Sequence, residues 1–130
     1  MPLRVQVVTP EREVEVCDDA KLVIAKGLEG DLGIMPGRAP ALIALGLGPL
    51  VIQREHTRDE LLLDGGFMTV KEDNVIVLAE YAAIPAELDP SAVAEEVERA
   101  RARIQTNADD EEAKKALMRA EAKLNLIQVG

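Results

Sequence analysis

Residues 61–80 read LLLDGGFMTVKEDNVIVLAE. Three short apolar runs, Leu61 to Leu63, Phe67 to Lys71 and Val75 to Glu80, are separated by Asp64-Gly65-Gly66 and by Asp73-Asn74. Each run has the length of a strand and each gap is made of turn residues. Gly65 and Gly66 suit a tight turn or a bulge, because glycine visits positive φ without steric cost. Consecutive strands with no helical period between them predict a compact all-β unit.

The same pattern extends toward the N-terminus. Leu3, Val5 and Val7 alternate with Arg4 and Gln6, Thr9-Pro10-Glu11 marks a turn, and Val14 and Val16 alternate with Glu13 and Glu15. A run from Lys21 to Ala25 ends at Gly27, another follows Pro49 from Leu50 to Arg54, and the charged stretch Glu55 to Asp59 turns the chain back. Turns at this frequency predict a β-sandwich or barrel, and the sandwich is the reading adopted. The glycine-rich stretch Gly27 to Gly33 reads as tight turns joining strands.

The period changes near residue 85. Pro85 and Leu88-Asp89-Pro90 close the β part, with Asp89 placed as N-cap and Pro90 at the first helical position. Val93, Val97, Ala100 and Ile104 then recur on one helical stripe, and Asn107 can end that helix. Asp109 with Glu112 has capping-box spacing for a second helix, in which Ala113, Ala116, Leu117, Ala120, Leu124 and Ile127 share a face. The short link predicts an antiparallel hairpin. The organisation is therefore a β-sandwich over residues 1–86 and a two-helix hairpin over 87–130. The hairpin carries few large apolar side chains against the entropy of ordering it, so it must lean on another surface and is a candidate switch.

Composition removes whole classes of function. A net charge of −9 and only two aromatics, Phe67 and Tyr81, exclude nucleic acid, which needs cations for phosphates and aromatic platforms for bases. Cys17 is the sole cysteine, so an intrachain disulfide is impossible and a thiolate metal site is excluded; a small buried hydrophobe is expected there. Neither a leader-like apolar region nor a membrane span is apparent, which suggests a cytosolic or peripheral protein in a reducing compartment.

Catalytic groups are equally scarce. Ser91 is the only serine and His56 the only histidine, and they fall in a helix start and a charged loop, so no catalytic residue is assigned. Asp18-Asp19 and Asp109 to Glu112 lack calcium-loop spacing, so no metal is assigned. Gly27 to Gly33 lacks the lysine of a phosphate loop and carries Glu29 and Asp31, which would repel phosphate. Glu95 with Arg99, and Glu111 with Lys115, fit ordinary surface ion pairs at i,i+4. Arg99 with Arg103, and Arg119 with Lys123, set like charges one turn apart and call for an anionic partner.

The segment GDLGIMPGRAP, Gly30 to Pro40, resembles the signature of the epsilon subunit of F-type ATP synthase. Val8-Thr9-Pro10-Glu11-Arg12, Gly65-Gly66-Phe67, Asn74 to Ala79 and Leu88-Asp89 match in the same order across nearly the whole chain. The resemblance implies a non-catalytic rotor subunit of the central stalk, peripheral on the cytoplasmic face of the cell inner membrane as part of the F1 sector and touching the membrane only through the complex. It implies that Glu29, Gly30 and Asp31 face the c-ring and that Arg38, Ala39 and Pro40 face the gamma subunit. Arg38 stands where the family usually has histidine. The resemblance further implies a hairpin that can extend toward the alpha and beta subunits and inhibit ATP hydrolysis, with Arg119 and Lys123 as its contacts.

Some members bind ATP through a Leu/Ile-Asp-x-x-Arg-Ala motif. Here Leu88 and Asp89 match, but Ala92 and Val93 replace Arg and Ala. Weak or absent ATP binding is the expectation, with Arg99 and Arg103 as the remaining cations, and no cofactor is assigned. Two alternatives from other classes are a free-standing ATP-sensing module and an oligomerisation hairpin carried on a sandwich.

Overall fold

Alternation in the first strand fixes what the rest of its sheet must cover. In β1 (Leu3–Val8) the side chains of Leu3, Val5 and Val7 are fully buried while Arg4 is exposed. The structure, a computed structural model, describes residues 2–129. Among the described residues ten strands follow one another: β1, β2 (Glu13–Ala20), β3 (Leu22–Gly27), β4 (Gly30–Ile34), β5 (Ala41–Ala44), β6 (Leu47–Gln53), β7 (Arg58–Asp64), β8 (Gly66–Lys71), β9 (Asn74–Ala79) and β10 (Ala82–Ala83). They form two five-stranded sheets, β2-β1-β9-β8-β5 and β10-β7-β6-β3-β4. β1 runs parallel to β9. Val5, Val7, Met68, Val70, Val75 and Val77 of the first sheet and Val23, Leu50, Ile52 and Leu61 of the second are buried and form the aliphatic core of the sandwich.

Three local readings change. Gly30–Ile34 is a strand, paired with β3 from Val23↔Ile34 to Gly27↔Gly30, so only Leu28-Glu29 remains as the turn. Leu32 and Ile34 alternate with Asp31 and Gly33, a strand pattern that the glycine count had masked. The turn between β8 and β9 is Glu72-Asp73, since Lys71 pairs with Asn74. In β2 the register with β1 shifts twice, so Cys17 lies opposite Val5 and is buried, while Val16 lies opposite Gln6 and is 39% exposed. Burial pushes the Cys17 thiol up from its ordinary pKa.

The described chain divides into two compact units, Met1–Ala82 and Ala83–Gly130. The second opens with a 3-10 turn, Pro85–Glu87, and continues into α1 (Pro90–Thr106) and α2 (Glu111–Val129). Asp89 caps α1 as read, its carboxylate accepting from the Ser91 amide at 3.1 Å, and Asn107 is the C-cap. Val93, Val97 and Ala100 are buried and Ile104 is half-buried. The helices pack antiparallel: Arg103 near the end of α1 meets Asp110 before α2 at 3.1 Å, and Glu96 meets Lys123 at 3.0 Å.

The α2 cap is Asp110, one residue later than read. Its carboxylate accepts from the Ala113 amide at 3.0 Å, whereas the Asp109 amide donates to Asn107. Within α2, Ala113 and Ala120 are buried and Leu117, Leu124 and Ile127 half-buried, but Ala116 is exposed and Leu126, on the other side of the helix, is buried. Glu111 pairs with Lys114 rather than with Lys115.

The Ala113 amide, with the Arg103 guanidinium, holds the Asp110 carboxyl below its ordinary pKa. A depressed folded value means that its contribution is complete above the unfolded value and is lost as pH falls through the folded one. We expect the first turn of α2 to fray as pH falls below the ordinary carboxylate range. Ala113 amide exchange followed against pH checks this, and Asp110→Asn, which keeps a capping oxygen, should flatten the dependence.

Candidate functional site

The residues expected to face partners fall at two ends of one edge strand. Glu29, Gly30 and Asp31 are exposed at the β3–β4 turn, beside Leu28, whose side chain is 72% exposed. The turn is seated on the β5–β6 connection, the Leu28 amide donating to the Ala44 carbonyl at 3.0 Å and the Gly46 amide to the Lys26 carbonyl at 3.0 Å. Arg38, Ala39 and Pro40 are exposed in the loop after β4. That loop is tied to the sandwich where the Gly37 amide donates to Asp73 Oδ1 at 2.8 Å. The four residue steps of β4 put its ends, Gly30 and Ile34, about 13 Å apart, and the second group follows only after the far end, so they form two surfaces and not one site.

A third surface was not read from the sequence. The outer face of the first sheet exposes Leu42 (70%), Phe67 (53%) and Leu78 (53%), together with Ile76 and Val16. The ladders place these in two adjacent rungs. One runs Leu42–Thr69–Ile76–Gln6–Val16 and the next Ala44–Phe67–Leu78–Val8–Glu13. Contiguous apolar side chains on an open sheet face mark an interaction surface. The available signal was the run Val75 to Ala79, apolar at every position, which fits a strand covered on both faces. The face continues directly into the Arg38-Ala39-Pro40 loop, because Leu42 opens it just beyond Pro40.

The helical residues separate in a similar way. Asp89 is committed to its cap, also accepting from Ser91 Oγ at 3.0 Å. Leu88 is half-buried and Arg99 exposed, beside Ala94, Glu95, Glu98 and Ala102 in a shallow depression on α1. Fourteen residues of helical rise put Asp89 and Arg103 about 21 Å apart, and Arg103 already pairs with Asp110. Lys123, only 12% exposed, pairs with Glu96 across the hairpin. Arg119 is half-buried on α2. The like-charged pairs are thus met in part by carboxylates of the hairpin itself.

Among the described residues no group of three or more His, Cys, Asp or Glu side chains is placed to hold a metal, and no helix is long and apolar enough to cross a membrane. Ser91, in the first turn of α1, donates its hydroxyl to the capping Asp89, and His56 lies exposed in the β6–β7 turn, remote from it in sequence.

A family model described as the ATP synthase delta/epsilon chain, β-sandwich domain, matches residues 2–85. The chain is 42% identical over 101 residues to the ATP synthase epsilon chain of Brevibacillus brevis, covering 77% of this chain and 70% of that one. It is 35% identical over 128 residues to the ATP synthase epsilon chain of Halalkalibacterium halodurans, covering 95% and 96%. Among solved structures, a chain of the Euglena gracilis mitochondrial ATP synthase in its OSCP/F1/c-ring assembly aligns with a TM-score of 0.69 at 20% identity, covering 98% of this chain and 78% of that one, which supports the fold. By sandwich, hairpin and near full-length similarity, the chain belongs to the family of ATP synthase epsilon chains.

Proposed function

We propose that this chain is a non-catalytic subunit of the central stalk of a proton-translocating F-type ATP synthase, and that it docks on the gamma subunit through the outer face of the first sheet. The observation that carries the reading is that face: Leu42, Phe67, Ile76 and Leu78 are held out to solvent by a rigid sheet, beside the Arg38-Ala39-Pro40 loop. An aliphatic and aromatic patch with few charges is suited to a protein partner. The exposed turn Leu28 to Asp31, at the far end of β4, then meets the c-ring, so one strand spans both contacts of the rotor. The chain is peripheral, on the cytoplasmic face of the membrane, and meets the membrane through the complex.

The hairpin is the conditional part. Its ion pairs, Glu96–Lys123 and Arg103–Asp110, close it. Opening it frees Arg103, Arg119 and Lys123 to reach carboxylates of the alpha and beta subunits and so to restrain ATP hydrolysis. ATP binds weakly or not at all, since Asp89 and Arg103 do not converge. The test is size-exclusion with light scattering of the full chain mixed with its cognate gamma subunit. A one-to-one complex is expected, and its absence ends the reading. Removing residues 88–130 should raise ATP hydrolysis by the reconstituted complex; unchanged hydrolysis ends the inhibitory half alone.

A further inference from the structure

The turn joining β8 to β9 is made of residues that do not favour it. Glu72 and Asp73 have φ of 50° and 64°, and Lys71 pairs directly with Asn74. This is a two-residue hairpin turn with both central residues left-handed, a geometry for which Asn-Gly is the favoured pair. Left-handed residues other than glycine cost backbone energy, although aspartate tolerates the region better than most. Such outliers point toward a function for the side chain that is kept.

What Asp73 has and glycine lacks is a carboxylate. Its Oδ1 accepts from the Gly37 amide at 2.8 Å, across 36 residues of sequence. Asp73 is itself held firmly: its carbonyl accepts from the Arg4 amide at 2.9 Å, and Asn74 Nδ2 donates to the Glu72 carbonyl at 3.2 Å. Gly37 contrasts with it. The backbone there has φ of +86°, nothing lies within 4 Å of where a Cβ would be, and Met35 to Pro40 are all exposed. The loop has little packing to fix it, so a charge-assisted bond to a rigid hairpin sets where Arg38, Ala39 and Pro40 stand.

We propose that Asp73 is a positioning residue for partner docking: its carboxylate, presented by a strained turn, holds the Gly37 amide and thereby sets the Arg38-Ala39-Pro40 loop against the gamma subunit. This rests on the docking reading above. A purely structural role for Asp73 makes the opposite prediction for one variant. Asp73→Gly supplies the residue the turn prefers, so the melting temperature of the full chain should hold or rise.

If the carboxylate positions the loop, the same variant should exchange its Gly37 amide proton at least tenfold faster and bind gamma about tenfold more weakly, the scale of one lost charge-assisted hydrogen bond. Asp73→Asn, which keeps a carbonyl acceptor and tolerates the left-handed region, should recover most of both losses. Titration calorimetry against the cognate gamma subunit, with amide exchange by NMR on the same full-length variants, reads all of these. Gamma affinity within twofold of the parent in Asp73→Gly overturns the inference while leaving the docking reading intact. A lower melting temperature with lost affinity that Asn does not restore overturns it as well. A parent chain that does not bind gamma removes the docking reading, and this inference with it.

Discussion

Gly66→Ala is expected to lower the stability of the sandwich by about 4 kcal/mol or more, enough to leave much of the chain unfolded. Gly66 has φ of +114°, where any L side chain is strained. An added Cβ would overlap the Leu78 carbonyl oxygen and lie 2.8 Å from Ala79 Cα and 3.0 Å from the Leu78 carbonyl carbon. All three atoms are backbone, so no rotamer change relieves the clash. They belong to β9, the central strand of the first sheet, whose displacement would disturb both β1 and β8. Gly33→Ala is the matched control: its Cβ would meet only Leu22 Cδ1 at 3.6 Å, at an ordinary backbone angle. That variant should be neutral or slightly stabilising, within about 0.5 kcal/mol. Urea unfolding of both, followed by circular dichroism, gives the comparison.

The second large effect concerns binding rather than folding. Leu42→Glu combined with Phe67→Glu should weaken association with gamma by about 100-fold or more, while the melting temperature of the isolated chain stays within about 2 °C. Both side chains already face solvent, so the isolated chain loses little. In the complex, each would contribute on the order of 1.5 to 3 kcal/mol if buried, and each introduced carboxylate would also have to be desolvated without a partner. An equal double substitution on a face that does not dock would move neither quantity. Calorimetric titration of gamma with the double variant reads the loss directly.

Much of the fold was legible because its signals are local. Period-two alternation in β1, glycines at the start of β8, the Asp89-Pro90 helix entry and the Asn107 stop each act within a few residues, and each stands in the structure as read. Non-local features escaped. β4 was obscured because the three glycines from Gly27 to Gly33 looked like turns, whereas the β3–β4 pairing makes all three strand residues. Alternation with Glu13 and Glu15 puts Val14 and Val16 on one apolar face, but the register shifts between β1 and β2 that leave Val16 exposed cannot be seen from one strand alone. Two adjacent aspartates gave two possible caps for α2, and only the hydrogen bond to Ala113 distinguishes Asp110.

The candidate docking surfaces divide along the same line. Glu29 to Asp31 and Arg38 to Pro40 were reached through a sequence resemblance, and the structure leaves both groups exposed at the ends of β4. Phe67 and Leu78 could not be distinguished from core residues by composition. Apolar residues on the two sides of a strand look alike in sequence, and which side remains open is decided by packing between sheets. The Asp73 bond to Gly37 was likewise invisible, because it joins a turn to a loop across 36 residues.

Hydroxyl-radical labelling of the full chain, alone and with its cognate gamma subunit, tests the central claim most directly because it reports side-chain exposure residue by residue. Phe67, Leu42 and Leu78 should each lose most of their reactivity in the complex, while Leu28, at the opposite end of β4 and reserved for the c-ring, keeps its own. Protection of Leu28 with Phe67 and Leu42 still fully reactive would contradict the account.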